Sequence, residues 1–187
     1  MKNKTMKKIA LGLVLIAGAV NTNASERYVP KFLAGTVFET ASQESGIDVL
    51  LLYAIAMSES NRSRGHGQTG PYALAIRACG RAHYPATRAE AEKTLQTILD
   101  SDCTNIDVGI MQISLRWNGK RTDSPFALLD ASENVRVGSQ VLLDAMQSSP
   151  HDVRTAISRY HSWTPELGLP YADSVLALYA ALKRNTR

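Results

Sequence analysis

The sequence predicts an α+β domain that is mostly helical, with one small irregular or short-stranded region. Runs with a helical apolar rhythm, bounded by capping and breaker residues, recur between residues 31 and 183, and they number five or six. Between Ser60 and Ala86 that rhythm is lost, and Gly65, Gly67, Gly70, Pro71, Gly80 and Pro85 punctuate the chain as loops and short strands do. About 160 residues follow a leader-like N-terminus, enough for one core and too few for two ordinary domains.

Residues 1–24 read as a secretory signal peptide. Lys2, Lys4, Lys7 and Lys8 precede an uncharged apolar run, Ile9 to Val20, which ends in small residues and is too short for a convincing membrane span. Cleavage fits after Ala24 or after Ala19, and no Cys stands nearby to accept a lipid. Residues 25–187 are then expected to form an exported, periplasmic domain with no stable membrane insertion. The four leader lysines account for the whole formal net charge of +4, since no acid precedes Glu26. The exported chain is near neutral, so its charge gives no argument for nucleic acid or an anionic membrane as a partner.

Along the chain, Lys31 to Glu44 reads as a helix with Phe32, Val37 and Phe38 as its apolar residues, ended by Gly46. The next helix is the centre of the domain. Asp48 is its N-cap, and Val49 to Met57 is apolar around most of the helical circumference, as a buried helix requires. Thr87-Arg88-Ala89-Glu90 is a capping box that starts a helix through Leu99, with Ala91, Leu95 and Ile98 on one face. The apolar cluster Val108 to Ile113 is interrupted by Gly109 and Gln112, so no single regular element is expected there. Pro125 and Asp130 precede a helix over Ser132 to Met146 with Val135, Val137, Val141, Leu142 and Leu143 facing the core. Ser149 and Pro150 read as the N-cap and first position of a further helix, to Tyr160. A Gly/Pro turn, Trp163 to Pro170, then leads to a last helix over Tyr171 to Lys183.

Cys79 and Cys103 are the two cysteines, and in an oxidising compartment they are expected to pair. The bond closes a loop of about 25 residues, worth roughly 3.5 kcal/mol in the chain-entropy model. A catalytic Cys with His83 is the competing reading. His66, His83, His151 and His161 show no paired metal-ligand spacing, and no metal or cofactor is expected.

Glu59 ends the central apolar run as Ser58-Glu59-Ser60-Asn61-Arg62. A carboxylate there meets the negative end of the helix dipole and an apolar neighbourhood, both of which favour the protonated form that a general acid needs. The alternative is a solvated last-turn residue pairing with Arg62 at i+3.

Three separated pieces, Ala56 to Ser60, Asp107 to Ile113 and Ser158 to His161, stand in an order that resembles the lysozyme-like lytic transglycosylases of peptidoglycan. Asn134 and Gly138 lie on the helix between the last two, and Tyr171 follows. Glu59-Ser60 matches the family's Glu-Ser, Gly109 to Gln112 its Gly-Leu-Met-Gln with Ile for Leu, and Tyr160 the Tyr of its Ala-Tyr-Asn, with Arg159 and His161 as departures. Pro71 to Leu74, Tyr84 to Ala91 and Arg159-Tyr160-His161 further resemble members encoded with conjugation and type IV secretion machinery.

The resemblance implies a lysozyme-like fold and cleavage of glycan strands with Glu59 as sole catalytic acid and base. It implies that Ser60 and Gln112 position substrate or Glu59, that Met111 lines the cleft, that Tyr160 hydrogen-bonds near the carboxyl, and that Tyr171 contributes to substrate binding. Components of a secretion or conjugation apparatus are the implied partners. Asp107 is the candidate second carboxylate, which would make the chain a hydrolytic muramidase. A non-catalytic peptidoglycan-binding scaffold is the reading from another class. Singly, Ser60 also fits a helix-end hydrogen bond, and Met111 a place in the core.

Overall fold

A computed structural model describes residues 28–65 and 67–186. The leader read over residues 1–24 lies outside them. The fold is α+β and mostly helical. Two helices come first, α1 (Val37–Ser45) and α2 (Val49–Ser60). Short strands follow: the hairpin β1 (Asn61–Gly65) with β2 (Gln68–Pro71), then β3 (Ile76–Ala78) and β4 (Arg81–His83). Helix α3 (Arg88–Leu99) precedes β5 (Ile106–Val108), β6 (Ile113–Ser114) and the single turn α4 (Leu115–Asn118). After two 3-10 turns come α5 (Ala131–Ser148), α6 (Val153–His161) and α7 (Pro165–Asn185).

Helix α2 is the axis of the core. Asp48 caps it by accepting from the Leu50 N–H at 2.9 Å, and Val49 to Leu52 and Ala54 to Ala56 are buried. Around it stand α1, β2 and α7, while α6 lies between α5 and α7. Leu52 and Ile55 are wholly excluded from water, so trimming either to Ala costs about 2–5 kcal/mol. No helix among the described residues is long and apolar enough to cross a membrane.

The irregular region is resolved into two small antiparallel sheets, β1-β2 and β4-β3-β5-β6. In the second, Arg77 pairs with Asp107 and Asp107 with Ser114. Cys79 and Cys103 form the expected disulfide, with Cα atoms 5.9 Å apart, tying the β3–β4 turn to the segment before β5.

Four element boundaries differ from the sequence reading, each for a local reason. Residues from Lys31 to Gly35 form turns closed by the Pro30 carbonyl, and Gly35 at φ +72° keeps them out of α1. Helix α5 starts a residue early because Asp130 accepts from the N–H groups of Ser132 and Glu133. Helix α6 starts late because Asp152, not Ser149, is its cap: the Asp152 carboxylate takes the Thr155 N–H at 2.9 Å.

The largest difference is α7, which begins at Pro165 and contains the stretch expected to be a turn. Pro165 suits the first helical position. Gly168 is there for contact, since a Cβ would lie 2.6 Å from the Ser162 carbonyl oxygen and 2.7 Å from that of Ser158. Pro170 forfeits the bond its N–H would make to the carbonyl of Glu166, itself an exposed residue.

Candidate active site

Glu59 reaches its position because the burial of α2 continues to the last residue of the helix. Ser60 is 2% exposed; its hydroxyl donates to the Ile110 carbonyl at 2.7 Å, lies 3.2 Å from that of Ala56, and accepts from the Tyr72 N–H at 3.1 Å. One side chain thus ties the end of α2 to the chain after β2 and to the turn at Ile110. Ser60 positions Glu59 and presents nothing to a ligand, which corrects its place among substrate-binding residues.

The turn from Gly109 to Gln112 is held from below by Asn134. Its amide nitrogen donates to the carbonyls of Val108 and Leu128, both at 2.8 Å, and its oxygen accepts from the Met111 N–H at 2.8 Å. Gly109 has φ +83°, and a Cβ there would lie 2.5 Å from the Leu128 oxygen. Met111 is fully buried against Gly138, where a Cβ would lie 2.6 Å from its sulfur. Met111 is therefore a core residue and does not line the cleft. Its carbonyl accepts from the Tyr160 hydroxyl at 2.8 Å.

Tyr160 makes its hydrogen bond near the acid, to the Met111 carbonyl, while the bond to the acid itself comes from Tyr171, whose hydroxyl donates to Glu59 Oε1 at 2.6 Å. His161 lies flat on the Tyr171 ring, with centroids 4.4 Å apart and planes 9° apart. Gln112, at φ 46°, donates from Nε2 to the Gly109 carbonyl at 2.8 Å and the Ala75 carbonyl at 3.2 Å.

These groups line a cleft of about 430 Å³, together with Arg77, Asn105, Asp107, Ser114 and Trp117. Trp117 stands on its rim, 75% exposed. The structure brings Glu59, Gln112, Tyr160 and Tyr171 into one site, with Asp107 beside them. The ion pair with Arg62 is not made: that guanidinium lies over the rings of Tyr72 and Tyr84, at 4.9 and 4.8 Å, and donates to the Tyr84 carbonyl.

Desolvation dominates the electrostatics. It raises the Glu59 carboxyl from 4.5 to about 7, against the Tyr171 hydrogen bond, while the Asp107 charge adds to the rise and Arg77 opposes it. Asp107 is raised by desolvation too, with a hydrogen bond from Ser114 and the Arg77 charge acting the other way. Burial holds the Tyr160 and Tyr171 phenols well above their ordinary range, so both stay protonated as donors. His161 is lowered by desolvation and by Arg77, which favours a neutral ring.

Sequence reasoning missed Arg77, Asn105, Ser114 and Trp117. For Arg77 the alternation Ile76-Arg77-Ala78 was a usable signal, since Ile76 and Ala78 are buried and Arg77 is exposed between them.

A second cavity, about 660 Å³, lies between the start of α2 and the end of α7. Its carboxylate, Asp48, is engaged by the Leu50 N–H, the Tyr179 hydroxyl and Lys183. Among the described residues lining it, no titratable side chain is without a partner, and the acid-bearing cleft is the candidate site.

No family model, no curated protein and no solved structure matches this chain. The class that fold and site define is accordingly physical: an α+β domain whose central helix ends in a desolvated carboxyl at the floor of a polar cleft.

Proposed function

We propose that the protein is a peptidoglycan lytic transglycosylase of the lysozyme-like class, cutting the β-1,4 bond between N-acetylmuramic acid and N-acetylglucosamine. The observation that carries the proposal is Glu59, held near pKa 7 by burial and fixed by Tyr171 at the floor of an open cleft. A value near neutral pH suits a group that must first donate a proton and then accept one. In the reaction Glu59 gives its proton to the glycosidic oxygen as the C1–O4 bond breaks. The 2-acetamido oxygen stabilises the positive centre at C1. The muramic acid O6 then attacks C1, and the Glu59 carboxylate takes the O6 proton, leaving a 1,6-anhydro end without consuming water. Exposed Trp117 on the rim offers an aromatic face to a sugar ring. The expected role is local opening of the cell wall for a secretion or conjugation apparatus, by an exported enzyme.

One observation favours a second reading. Asp107 shares the cleft and is close enough for its charge to act on Glu59, so a muramidase that activates water is the alternative. Mass spectrometry of digested peptidoglycan separates the two. Anhydro-muramyl ends, lighter by one water, support transglycosylation; reducing ends throughout identify a hydrolase; binding without any cleavage identifies a scaffold.

A further inference from the structure

Arg77 is the only Lys or Arg among the described residues that line the cleft. Strand β3 puts it there: Ile76 and Ala78 turn into the core, so the side chain between them faces the cleft, in register with Asp107 of β5. A cross-strand pair of opposite charge would ordinarily close into an ion pair. This one does not. The Arg77 side chain makes no hydrogen bond or ion pair with any described residue, and Asp107 takes the Ser114 hydroxyl instead.

The guanidinium also works against the acid. Its charge pulls Glu59 toward ionisation, so an uncharged residue at 77 would leave more of the carboxyl protonated at neutral pH. A cation held in the cleft beside a general acid, with no side-chain partner among the described residues, is placed to take an anion brought by the ligand. Glycan strands of the wall carry one at the right place. The 3-O-lactyl arm of muramic acid branches from the ring whose C1 is attacked, and it ends in a carboxylate or in a peptide that carries carboxylates.

We infer that Arg77 is a specificity-determining residue that binds a carboxylate on the lactyl arm of the muramic acid residue held at Glu59. The inference rests on the glycan-cleaving reading above and names which part of that substrate is recognised. A guanidinium suits the task, because its planar fork takes a carboxylate through two parallel hydrogen bonds.

The test uses binding, so that cleavage does not enter. Calorimetry on Glu59→Gln, with and without Arg77→Gln, is run on three glycans: strands stripped of peptide, the same strands with lactyl carboxylates capped as methylamides, and peptide-bearing strands. The expected result is that Arg77→Gln weakens a carboxylate-bearing glycan about tenfold and leaves the capped one unchanged. A loss confined to stripped strands identifies the lactyl acid itself; a loss on peptide-bearing strands identifies the stem peptide. Arg77→Lys should recover part of the affinity, and an unchanged melting temperature shows that the fold is intact. Equal losses on all three glycans, or no loss on any, overturn the inference while leaving the functional reading standing. If none of the three glycans binds, both fall.

Discussion

Replacing Glu59 by Gln should stabilise the protein in a pH-dependent way while removing the activity proposed above. The folded carboxyl titrates near 7 against an ordinary value of 4.5, so the folded state holds a proton that the unfolded chain gives up sooner. Stability from this group is complete below pH 4.5, falls as pH rises from 4.5 toward 7, and levels off above. At roughly 1.36 kcal/mol for each pH unit, the ionised side chain weakens the fold by about 3 kcal/mol at pH 8. Gln has the same shape, still accepts from Tyr171 and does not titrate. Wild type and variant should therefore melt together near pH 4 and separate steadily toward pH 8. There the variant should lead by about 6–12 °C, at 2–4 °C per kcal/mol for a domain of this size. Thermal unfolding followed by circular dichroism across that range reads the difference directly, because all other titrating groups are common to both proteins. A gap that does not vary with pH, or a wild type that is the more stable at pH 8, would refute the claim that desolvation governs Glu59. Turnover on peptidoglycan should fall by about 10²–10⁴-fold in the same variant, the usual worth of general acid–base catalysis.

Tyr171→Phe removes the hydrogen bond that pulls the Glu59 value down, so the acid should hold its proton to higher pH. The alkaline limb of the pH–rate profile should shift upward by roughly one pH unit, the equivalent of a charge-assisted hydrogen bond; an unmoved limb would reject the coupling. Cys79→Ser with Cys103→Ser should lower unfolding stability by about 3 kcal/mol, measured by urea titration, by freeing the unfolded chain. Alkylation of the unreduced, denatured wild type should label neither cysteine.

Signals that act within a few residues were legible in the sequence. Asp48 before Val49 and Thr87 before Arg88 cap the helices they were expected to cap, although Glu90 reaches back to the Ala86 N–H at 2.8 Å, one residue beyond the usual partner. The pairing of Cys79 with Cys103 was legible because the chain has only two cysteines. Gly168 and Pro170 misled the reading because both look like breakers, yet Gly168 is dictated by the backbone of α6 pressed against α7, which no local pattern reports. Strands of two to five residues are too short for alternation to stand out, so the sheet that carries Arg77 and Asp107 read only as an irregular or short-stranded region, with no strand placed in it. Nor could spacing decide between Tyr160 and Tyr171. Only the packing of α6 and α7 aims one hydroxyl at the Met111 carbonyl and the other at Glu59.

The opposing influences on Glu59 explain why a single carboxyl suffices in this reading. Burial at the end of α2 alone would push the acid further upward, keeping it protonated but making it a weaker acid. Tyr171 and Arg77 pull it back, one by a hydrogen bond and one by charge, and the balance comes to rest near neutral pH. A group that first protonates a leaving oxygen and then takes a proton from an attacking hydroxyl gains most from that intermediate value, since moving it either way speeds one half of the reaction and slows the other. A substrate carboxylate bound to Arg77 would neutralise one of the two counterweights and raise the fraction of Glu59 that carries a proton when substrate is bound. Ligand recognition and acid strength are then two consequences of one arginine, placed by the alternation of a three-residue strand.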